Sequence, residues 1–457
     1  MERENLKSRL GFILISAGCA IGVGNVWKFP YMVGNNGGGA FVLIYIIFLV
    51  LLGMPILTME FAMGRASRKS IVCVYEELVP QKKAWRVHGY MGILGNYILM
   101  FFYTSVAGWM LDYCFKYVTG GMENMTSSAD VFGTMLASTP EMVLWMFIVI
   151  AAGIFICSMG LQNGVEKITK VMMTALLVLI VVLAIHSLTL SGAKEGLRFY
   201  LYPDLNKMKE LGIGNVISAA MNQAFFTLSL GIGAMLIFGS YIGRDHALLG
   251  ESINIVVLDT FVAIVSGLII FPACFSYGVE PNSGPSLIFI TLPNIFASMA
   301  GGRIWGALFF LFLTFAALST IIAVFENIIC CCMDKFHWSR KKAAIINFVV
   351  ITVFSLPCAL GYNVLSWIQP FGEGTTVLDF EDFVVSNLLL PLGSLIIVLF
   401  CMNRYGWGFE NYLKETNTGK GLKMPSNVYL YCKFVIPVIV AILIYQSVLP
   451  YVKMLFA

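Results

Sequence analysis

An apolar segment near the start of the chain is interrupted by a polar, glycine-rich stretch. The stretch reads Gly18-Cys-Ala-Ile-Gly-Val-Gly-Asn-Val-Trp-Lys-Phe-Pro30, and its first seven residues contain three glycines. Backbone that leaves a helix within hydrocarbon loses hydrogen bonds that lipid cannot replace. Such a break is tolerated only where it lines a polar cavity, so the stretch predicts a binding site near the middle of a membrane.

The composition and the apolar runs indicate an all-α protein that crosses a membrane many times. Hydrophobic residues make up 59% of the chain and charged residues 12%, against about 25% charged residues in an average soluble domain. A helix that spans a bilayer needs roughly 20 apolar residues, which predicts eleven spans in one bundle over residues 1–457. The predicted spans are 11–32, 39–63, 88–117, 141–158, 164–188, 212–242, 250–279, 303–334, 342–360, 376–402 and 427–455. The shorter apolar stretch 284–299 predicts a re-entrant or capping loop on the extracellular side.

The positive charges indicate the orientation of this bundle. With a cytoplasmic N-terminus, 21 of the 29 lysine and arginine residues fall on the inner side, as the positive-inside rule requires. Eleven spans then place the C-terminus outside the cell. The short termini and the lack of a large extracellular loop favour a bacterial inner (plasma) membrane, and the oligomeric state is left open.

The residue types that covalent or metal chemistry needs do not cluster in this sequence. The eleven cysteines lie mostly within apolar segments and form no CxxC pair, and the four histidines have no ligand spacing. No nucleophile shares a predicted helix face with a base. We therefore expect a protein that is not an enzyme, holds no transition metal and binds no nucleic acid, with the lipid bilayer and a small molecule as its partners.

A second interruption, Phe226-Thr-Leu-Ser-Leu-Gly-Ile-Gly233, lies in the sixth predicted span. The breaks therefore begin two sets of five spans, residues 11–188 and 212–402, and the span 427–455 is additional. Inverted repeats with discontinuous helices are typical of secondary transporters. The free N–H groups at a broken helix end suit a carboxylate and the free carbonyls suit a cation, so a zwitterionic amino acid together with sodium would satisfy both.

Three motifs carry a resemblance to a known family. They are Gly18–Pro30 with the following Asn36-Gly-Gly-Gly-Ala-Phe41, Phe226–Gly233, and Phe315-Ala-Ala-Leu-Ser-Thr320. Over about residues 3–400 the chain resembles the neurotransmitter:sodium symporter family, and its eleven spans are similar to those of a bacterial subgroup of amino-acid transporters. The resemblance implies a leucine-transporter-like fold with a 5+5 inverted repeat and broken helices 1 and 6.

The resemblance also implies two sodium sites built from oxygen ligands. The first would use the Ala20 carbonyl, the Asn25 side chain, Thr227 and the position of Asp259. The second would use the carbonyls of Gly18, Ile21 and Ala316 with the hydroxyls of Ser319 and Thr320.

Asp259 is the only carboxylate between Ile253 and Gly278, within a solidly apolar span. An acid at the centre of a membrane costs about 2.5–3.5 kcal/mol on insertion scales, so it points to function. Relatives often carry Asn here, and chloride-dependent ones place a chloride-binding Ser one turn later, where this chain has Ala263. We infer that Asp259 supplies the negative charge and predict transport without chloride. Protonation of Asp259 on the return step, with proton counter-transport, is a further hypothesis.

The resemblance places Tyr103 where the family's tyrosine contacts the substrate carboxylate. The predicted substrate site comprises Ala20, Gly22, Gly24, Leu99, Tyr103, Phe226, Thr227, Ser229, Ile232, Ile321 and Val324. Because its side-chain part is almost wholly apolar, a hydrophobic or aromatic amino acid is favoured. The alternatives are another small amine or amino acid, and an exchanger with proton counter-transport.

Two gate pairs are implied on either side of this site. Lys28 and Asp382 resemble the extracellular pair, and a lysine in place of the family's usual arginine predicts a looser gate because it cannot form a bidentate fork. Arg3 and Asp334, with Tyr241 nearby, resemble the intracellular pair. In the fifth span, the family's Gly-x9-Pro motif is replaced by Gly164 and Thr174, which leaves the route of sodium release on the inner side undefined.

Overall fold

The computed structural model describes residues 4–122, 127–279 and 287–456. Over these residues the chain is built of helices, and its strand-like pairing is confined to the isolated bridges Gly38–Pro203 and His246–Lys420. A helix satisfies its interior backbone groups within its own segment, as the hydrocarbon interior demands.

Each predicted span is matched by a helix or by a pair of helix halves. The helices are α1a (Arg9–Ala20) and α1b (Gly24–Asn35), α2 (Gly39–Ser67), α3 (Lys83–Thr119), α4 (Thr139–Ser158), α5 (Leu161–Leu188), α6a (Ile213–Thr227) and α6b (Ala234–Gly239), α7 (Leu248–Ser276), α8 (Gly302–Phe336), α9 (Arg340–Leu360), α10 (Val377–Met402) and α11 (Val428–Leu449). Within the described ranges, nine continuous helices are long and apolar enough to cross a membrane, and the bent α1 pair makes ten. The predicted count of eleven is therefore not met by length alone, because the halves of α6 are too short.

Short helices fill the connections between these spans. They are Ile71–Leu78, Ser128–Ala137, Ala193–Leu201, Leu205–Leu211, Leu287–Ser298 and Phe409–Thr416. The described part of the apolar stretch 284–299 forms one of them, and the Phe289 and Phe132 rings stack there with centroids 5.1 Å apart. Residues 284–286 of that stretch lie outside the described residues.

The first helix breaks where its sequence loses regular helix-forming residues. The Ser8 hydroxyl caps its start by accepting from the Gly11 N–H at 3.0 Å, and α1a ends as Ile21 becomes extended. The second half restarts at Gly24 in a π-helical turn and continues through Pro30, and the two halves meet at 54°. The break thus leaves free carbonyls of α1a and free N–H groups of α1b within the bundle.

The sixth helix breaks in a left-handed turn that a buried acid from α2 holds in place. Ser229 and Gly231 have φ values of 50° and 95°, and the latter is a conformation that glycine adopts at little cost. The carboxylate of Glu60 accepts hydrogen bonds from the N–H groups of Gly231 at 2.6 Å and Leu236 at 3.1 Å. The Glu60 carboxylate thus replaces two of the backbone hydrogen bonds that α6 loses at its interruption.

The two broken helices lie at the centre of the bundle. Helix α8 packs along α3 and against α1a and α5, and α6b packs against α2. Helix α11 packs on the outside, against α10 and α6a. This arrangement brings the breaks of α1 and α6 beside the middle of α3 and α8. The division into repeats 11–188 and 212–402 remains a prediction.

Candidate ion and substrate site

A small central cavity of about 20 Å³ lies between the two broken helices. Seven residues of the predicted substrate site line it: Ala20, Gly22, Gly24, Leu99, Tyr103, Phe226 and Ser229. The structure adds Cys19, Thr320 and Leu390 to this lining. The cavity is small and mostly apolar, with the polar groups of the helix breaks at one side.

Four residues predicted for the substrate site do not line this cavity. Thr227 faces the carboxylate of Asp259 instead. Ile232 packs against Gly92 and Gly95 of α3. Two residues of α8 are also buried elsewhere, Ile321 beside Gly153 of α4 and Val324 in the core. The turn in α6 and the rotation of α8 direct these side chains away from the cavity, which helical spacing alone does not reveal.

Tyr103 joins the middle of α3 to the break in α1. Its hydroxyl accepts a hydrogen bond from the Val23 N–H at 2.8 Å. A Cβ atom at Gly22 would collide with the Tyr103 and Thr320 hydroxyl oxygens, so glycine is required for this close approach. The contact leaves a tyrosine hydroxyl at a helix end whose N–H groups suit a carboxylate.

The predicted first sodium site is represented by a buried polar cluster around Asp259. The Asn25 amide donates to the Asp259 carboxylate at 2.8 Å and to its main-chain carbonyl at 3.1 Å. The Thr227 hydroxyl donates to the same carboxylate at 3.1 Å. Ala20 lines the adjoining cavity. Asn25, Thr227 and Asp259 are each at least 99% buried, so the carboxylate lies in a site that a cation would complete.

The sequence analysis missed Tyr45, on α2. Its side chain is wholly buried beside the Asp259 carboxylate, yet its hydroxyl has no well-aligned hydrogen-bond partner. A lone tyrosine in an apolar span carries no signal of this contact, because the partner lies more than two hundred residues away along the chain.

All five residues of the predicted second sodium site meet between α1a and α8. The Ser319 hydroxyl lies 3.4 Å from the Ile21 carbonyl and 2.9 Å from the Ala316 carbonyl. The Thr320 hydroxyl lies 3.2–3.5 Å from four carbonyls, those of Gly18, Cys19, Ile21 and Ala316. A hydroxyl has one proton to donate, so buried acceptors outnumber donors here. A hard cation fits this excess of oxygen lone pairs.

Lys28 and Asp382 meet above the cavity. The Lys28 ammonium lies 3.3 Å from the Asp382 carboxylate and 3.3 Å from the Ser386 hydroxyl. The same ammonium lies 3.9 Å from the centroid of the Phe226 ring, a cation–π geometry. Phe226 therefore lies directly under the charge pair and closes the top of the cavity.

A second cavity, the vestibule, begins on the other side of Phe226. It has a volume of about 280 Å³ and shares Gly24, Tyr103 and Phe226 with the central cavity. Its walls also include Trp27, Lys28, Tyr31, Tyr362, Asp379 and Asp382. Phe226 and the charge pair thus separate a small inner cavity from a wider, mostly apolar one.

The structure describes only part of the implied intracellular gate, and the pairing of Arg3 with Asp334 stays a prediction. Arg3 lies outside the described residues, and the Asp334 carboxylate accepts a hydrogen bond from the Ser70 N–H at 2.7 Å. The Tyr241 hydroxyl donates to the carboxylate of Glu326 at 2.7 Å. The main-chain carbonyl of Tyr241 accepts a hydrogen bond from the Leu6 N–H at 3.3 Å. This bond holds the N-terminal segment beside α6b.

An ion pair that the sequence analysis missed joins Glu326 of α8 to Arg340 of α9. The guanidinium binds both carboxylate oxygens, at 2.6 and 2.9 Å, and the Glu326 side chain is wholly buried. The available signal was an acid inside the apolar span 303–334. This network lies on the opposite side of the central cavity from Lys28 and Asp382.

The fifth span is continuous at the point where the family motif is missing. Helix α5 starts with a π-helical stretch, Leu161–Glu166, and then runs as an α-helix through Thr174. The Thr174 hydroxyl donates back to the Lys170 carbonyl at 2.8 Å. Such back-bonding favours a slight bend, but the helix is not unwound.

Comparison with known proteins places this geometry in a family. The model of the sodium:neurotransmitter symporter family matches residues 3–130 and 116–456. The uncharacterised sodium-dependent transporter YhdH of Bacillus subtilis is 35% identical over 395 residues, which cover 86% of each chain. An uncharacterised sodium-dependent transporter of Haemophilus influenzae is 30% identical, with 97% of each chain covered. The crystal structure of MhsT in complex with L-phenylalanine is 40% identical, with a TM-score of 0.88 and coverage of 98% of this chain and 100% of that one. The chain therefore belongs to the sodium:neurotransmitter symporter family.

Proposed function

We propose that this protein is a sodium-coupled symporter that imports a hydrophobic or aromatic amino acid by alternating access. The observation that carries the proposal is the closed cavity between two broken helices, with a buried oxygen cluster on each side of it. The 40% identity to a protein crystallised with L-phenylalanine supports this substrate class. We further propose a plasma-membrane location with the N-terminus cytoplasmic and the C-terminus outside.

The cavity walls suggest how such a substrate binds. Its carboxylate would meet the Tyr103 hydroxyl and the N–H groups at the start of α1b, which carry partial positive charge. Its ammonium would meet carbonyls at the end of α1a. Its side chain would lie among Leu99, Phe226 and Leu390, where no acid or base is present to receive a charged group. Exclusion of charged amino acids follows from the cost of burying an unpaired charge.

Sodium provides the driving force in this proposal. Asn25, Thr227 and Asp259 with the Ala20 carbonyl would hold one ion. Ser319 and Thr320 with the carbonyls of Gly18, Ile21 and Ala316 would hold another. Each entering positive charge contributes about 2.3 kcal/mol per 100 mV. Because both clusters include backbone from the break in α1, ion binding would order the same segment that contacts the substrate.

Asp259 supports the proposal of chloride-independent transport. Its carboxylate is fixed by the Asn25 amide and the Thr227 hydroxyl, and the residue one turn later is Ala263. A permanent carboxylate would balance the sodium charge without a bound anion. Proton counter-transport through the same carboxyl, in an exchange mode, is the alternative.

Alternating access would use the two charge networks as gates. Lys28, Asp382 and Phe226 close the side toward the vestibule. Glu326, Arg340 and Tyr241 close the opposite side. With both closed, the central cavity is occluded, so transport requires each network to open in turn.

The proposal is tested by uptake of labelled phenylalanine, tyrosine, tryptophan and leucine into proteoliposomes. An inward sodium gradient should give accumulation of at least one of them, with or without chloride. Potassium in place of sodium serves as the control. Accumulation with potassium alone would contradict sodium coupling, and loss of uptake on removing chloride would contradict the role of Asp259. Uptake that alkalinises the lumen at zero potential would favour the exchange mode, since counter-transport carries protons out as substrate enters.

A further inference from the structure

Glu381 lies in the outer part of α10 without a basic partner. Its side chain is about nine-tenths buried. Among the residues that the structure describes, no lysine, arginine or histidine forms an ion pair or hydrogen bond with it, and its Oε2 atom has no hydrogen-bond partner. The neighbouring gate residue Asp382 differs from it, because the Lys28 ammonium balances that carboxylate.

The groups around Glu381 are polar but uncharged or acidic. The thiol of Cys358, on α9, contacts its carboxyl group, and the buried Ser105 hydroxyl of α3 lies beside that thiol. The Ser105 hydroxyl also has no aligned partner. Tyr362 lies beyond Cys358 on the same side. These neighbours accommodate a carboxylic acid, whereas a buried carboxylate without a cation is strongly unfavourable.

The remaining charged groups nearby do not compensate Glu381. Asp379 and Asp382 are acids on the same segment, and the Tyr451 ring, just beyond the end of α11, packs against Phe383. On α3, Asp112 and Lys116 lie two to three turns beyond Ser105. They pair with each other, with the Lys116 ammonium 2.6 Å from the Asp112 carboxylate. None of these groups places a positive charge against Glu381.

The segment that carries Glu381 is joined to the rest of its helix through a π-helical stretch. Residues Val377–Phe383 form about two turns of α-helix. Helix α10 then continues through a π-helical stretch, Val384–Leu389. Such stretches interrupt the regular hydrogen-bond ladder and often mark functional sites. The same segment presents Leu378, Asp379 and Asp382 to the vestibule. A movement that widens the vestibule would therefore also take Glu381 out of its buried site.

We propose that Glu381 takes up a proton from the extracellular water when the outer gate closes and returns it to that water when the gate opens. The O–H bond that forms on closing makes the acid neutral, and only the neutral acid fits between α3 and α9. Acidic external solution therefore favours the closed gate and alkaline solution the open one. The inference rests on the proposed function only in taking the vestibule as the substrate's path from outside.

The test measures how open the vestibule is at each pH without any transport. Tyr31 lines the vestibule and is half-buried, so Tyr31→Cys places a reporter thiol there. The native cysteines, Cys73 apart, are buried. A membrane-impermeant maleimide is added to the purified full-length protein, and labelling of the introduced thiol is followed by peptide mass spectrometry. The same protein with Glu381→Gln, a neutral side chain of similar shape, provides the reference and cancels the intrinsic pH dependence of thiol reactivity.

The relevant ratio is the labelling rate of the Tyr31→Cys protein divided by that of the same protein with Glu381→Gln. We expect it to be about one near pH 6 and at least about threefold larger near pH 8.5. One linked proton limits the change to about tenfold per pH unit. The matched control is Asp379→Asn, an exposed acid on the same segment, which should retain the pH dependence of the Tyr31→Cys parent. A ratio that does not change with pH overturns the proposal, and so does an equal effect of Asp379→Asn.

A second variant decides the matter if Glu381→Gln does not fold. Cys358→Ser replaces the thiol by a stronger hydrogen-bond donor, which stabilises the carboxylate. The rise in labelling should then move to lower pH than in the Tyr31→Cys parent. An unmoved curve would contradict the proposal. Because no substrate or sodium gradient is used, failure here is distinguishable from failure of the transport function.

Discussion

At the scale of single residues, each of the two proposed ion sites depends on only two or three side chains. Ser319 and Thr320 contribute two hydroxyls. The other oxygens in their cluster are main-chain carbonyls, from the broken end of α1a and from Ala316 of α8. Asp259 contributes the only carboxylate of the other cluster. A substitution at one of these side chains therefore removes a defined ligand without altering the helices that supply the rest.

Thr320→Ala should raise the sodium concentration needed for half-maximal substrate binding by about tenfold or more, the size of effect expected for loss of one charge-assisted contact. Scintillation proximity binding of labelled substrate at varied sodium measures it. The matched control is Thr314→Ala on the same helix, since the Thr314 hydroxyl donates only to the Phe310 carbonyl. Equal effects of the two substitutions would contradict the assignment of Thr320 to an ion site.

Asp259→Asn should abolish sodium-dependent uptake in chloride-free buffer, because the ion would lose the only carboxylate in its cluster. Combining it with Ala263→Ser should give uptake that returns as chloride is added, since an anion can then replace the missing charge. Uptake in gluconate and chloride buffers measures both. Full activity of Asp259→Asn without chloride would show that the carboxylate does not balance the sodium charge.

At the scale of elements, a break in a helix is stable only if another element supplies the lost hydrogen bonds. Glu60 does this for α6 by accepting from the N–H groups of Gly231 and Leu236. Sequence reasoning predicted the break, because glycine and serine weaken a helix locally. It did not identify Glu60, because the acid lies in a different span and its partner is decided by packing.

Glu60→Ala should lower the free energy of unfolding by about 2–5 kcal/mol, since two buried N–H groups lose their acceptor, and should abolish substrate binding. Thermal unfolding of the purified protein measures the first effect. Ser67→Ala on the same helix is the control, because its hydroxyl bonds only locally: it donates to the Met63 and Gly64 carbonyls and accepts from the Lys69 N–H. A Glu60→Ala protein with unchanged stability would show that α6 holds its turn without this carboxylate.

At the scale of the whole molecule, two charge networks enclose one cavity from opposite sides. Lys28 and Asp382 are partly exposed, with 28% and 34% of their side chains accessible. In the other network Arg340 is 14% accessible and Glu326 is wholly buried. Breaking an ion pair costs more free energy when the pair is buried. The network of Glu326 is therefore the more firmly closed of the two in this conformation.

Arg340→Ala should therefore open the side of the molecule that contains Glu326, since it leaves a buried carboxylate unpaired. Cys330 is a native reporter, with its thiol 2.7 Å from the Tyr241 hydroxyl and almost wholly buried. Its alkylation, followed by peptide mass spectrometry, should become at least about tenfold faster, as expected for a destabilisation of more than about 1.4 kcal/mol. Buried Cys274 of α7 serves as the internal control. Unchanged protection of Cys330 would contradict a gating role for the ion pair.

The fold and the family were predicted from sequence and are confirmed by the structural match and the family comparison. The reason is that hydropathy and helix-breaking residues act locally, so each span and each break can be recognised without knowing its neighbours. The span count was inexact at α6, where the turn divides one crossing into two short halves. Residue roles at the ion clusters, the cavity and the gates stay predictions.

By itself, the sequence determined that this chain is a helical membrane bundle with two interrupted helices and with oxygen-bearing residues beside each interruption. Only the tertiary structure decided which groups meet. Tyr45 with Asp259, Glu60 with the α6 turn, and Glu326 with Arg340 all join different helices, and Ile321 and Val324 turn away from the cavity that they were predicted to line. The physical reason is that a local pattern fixes the backbone state of a segment, whereas the rotation and contacts of its side chains depend on how all helices pack together.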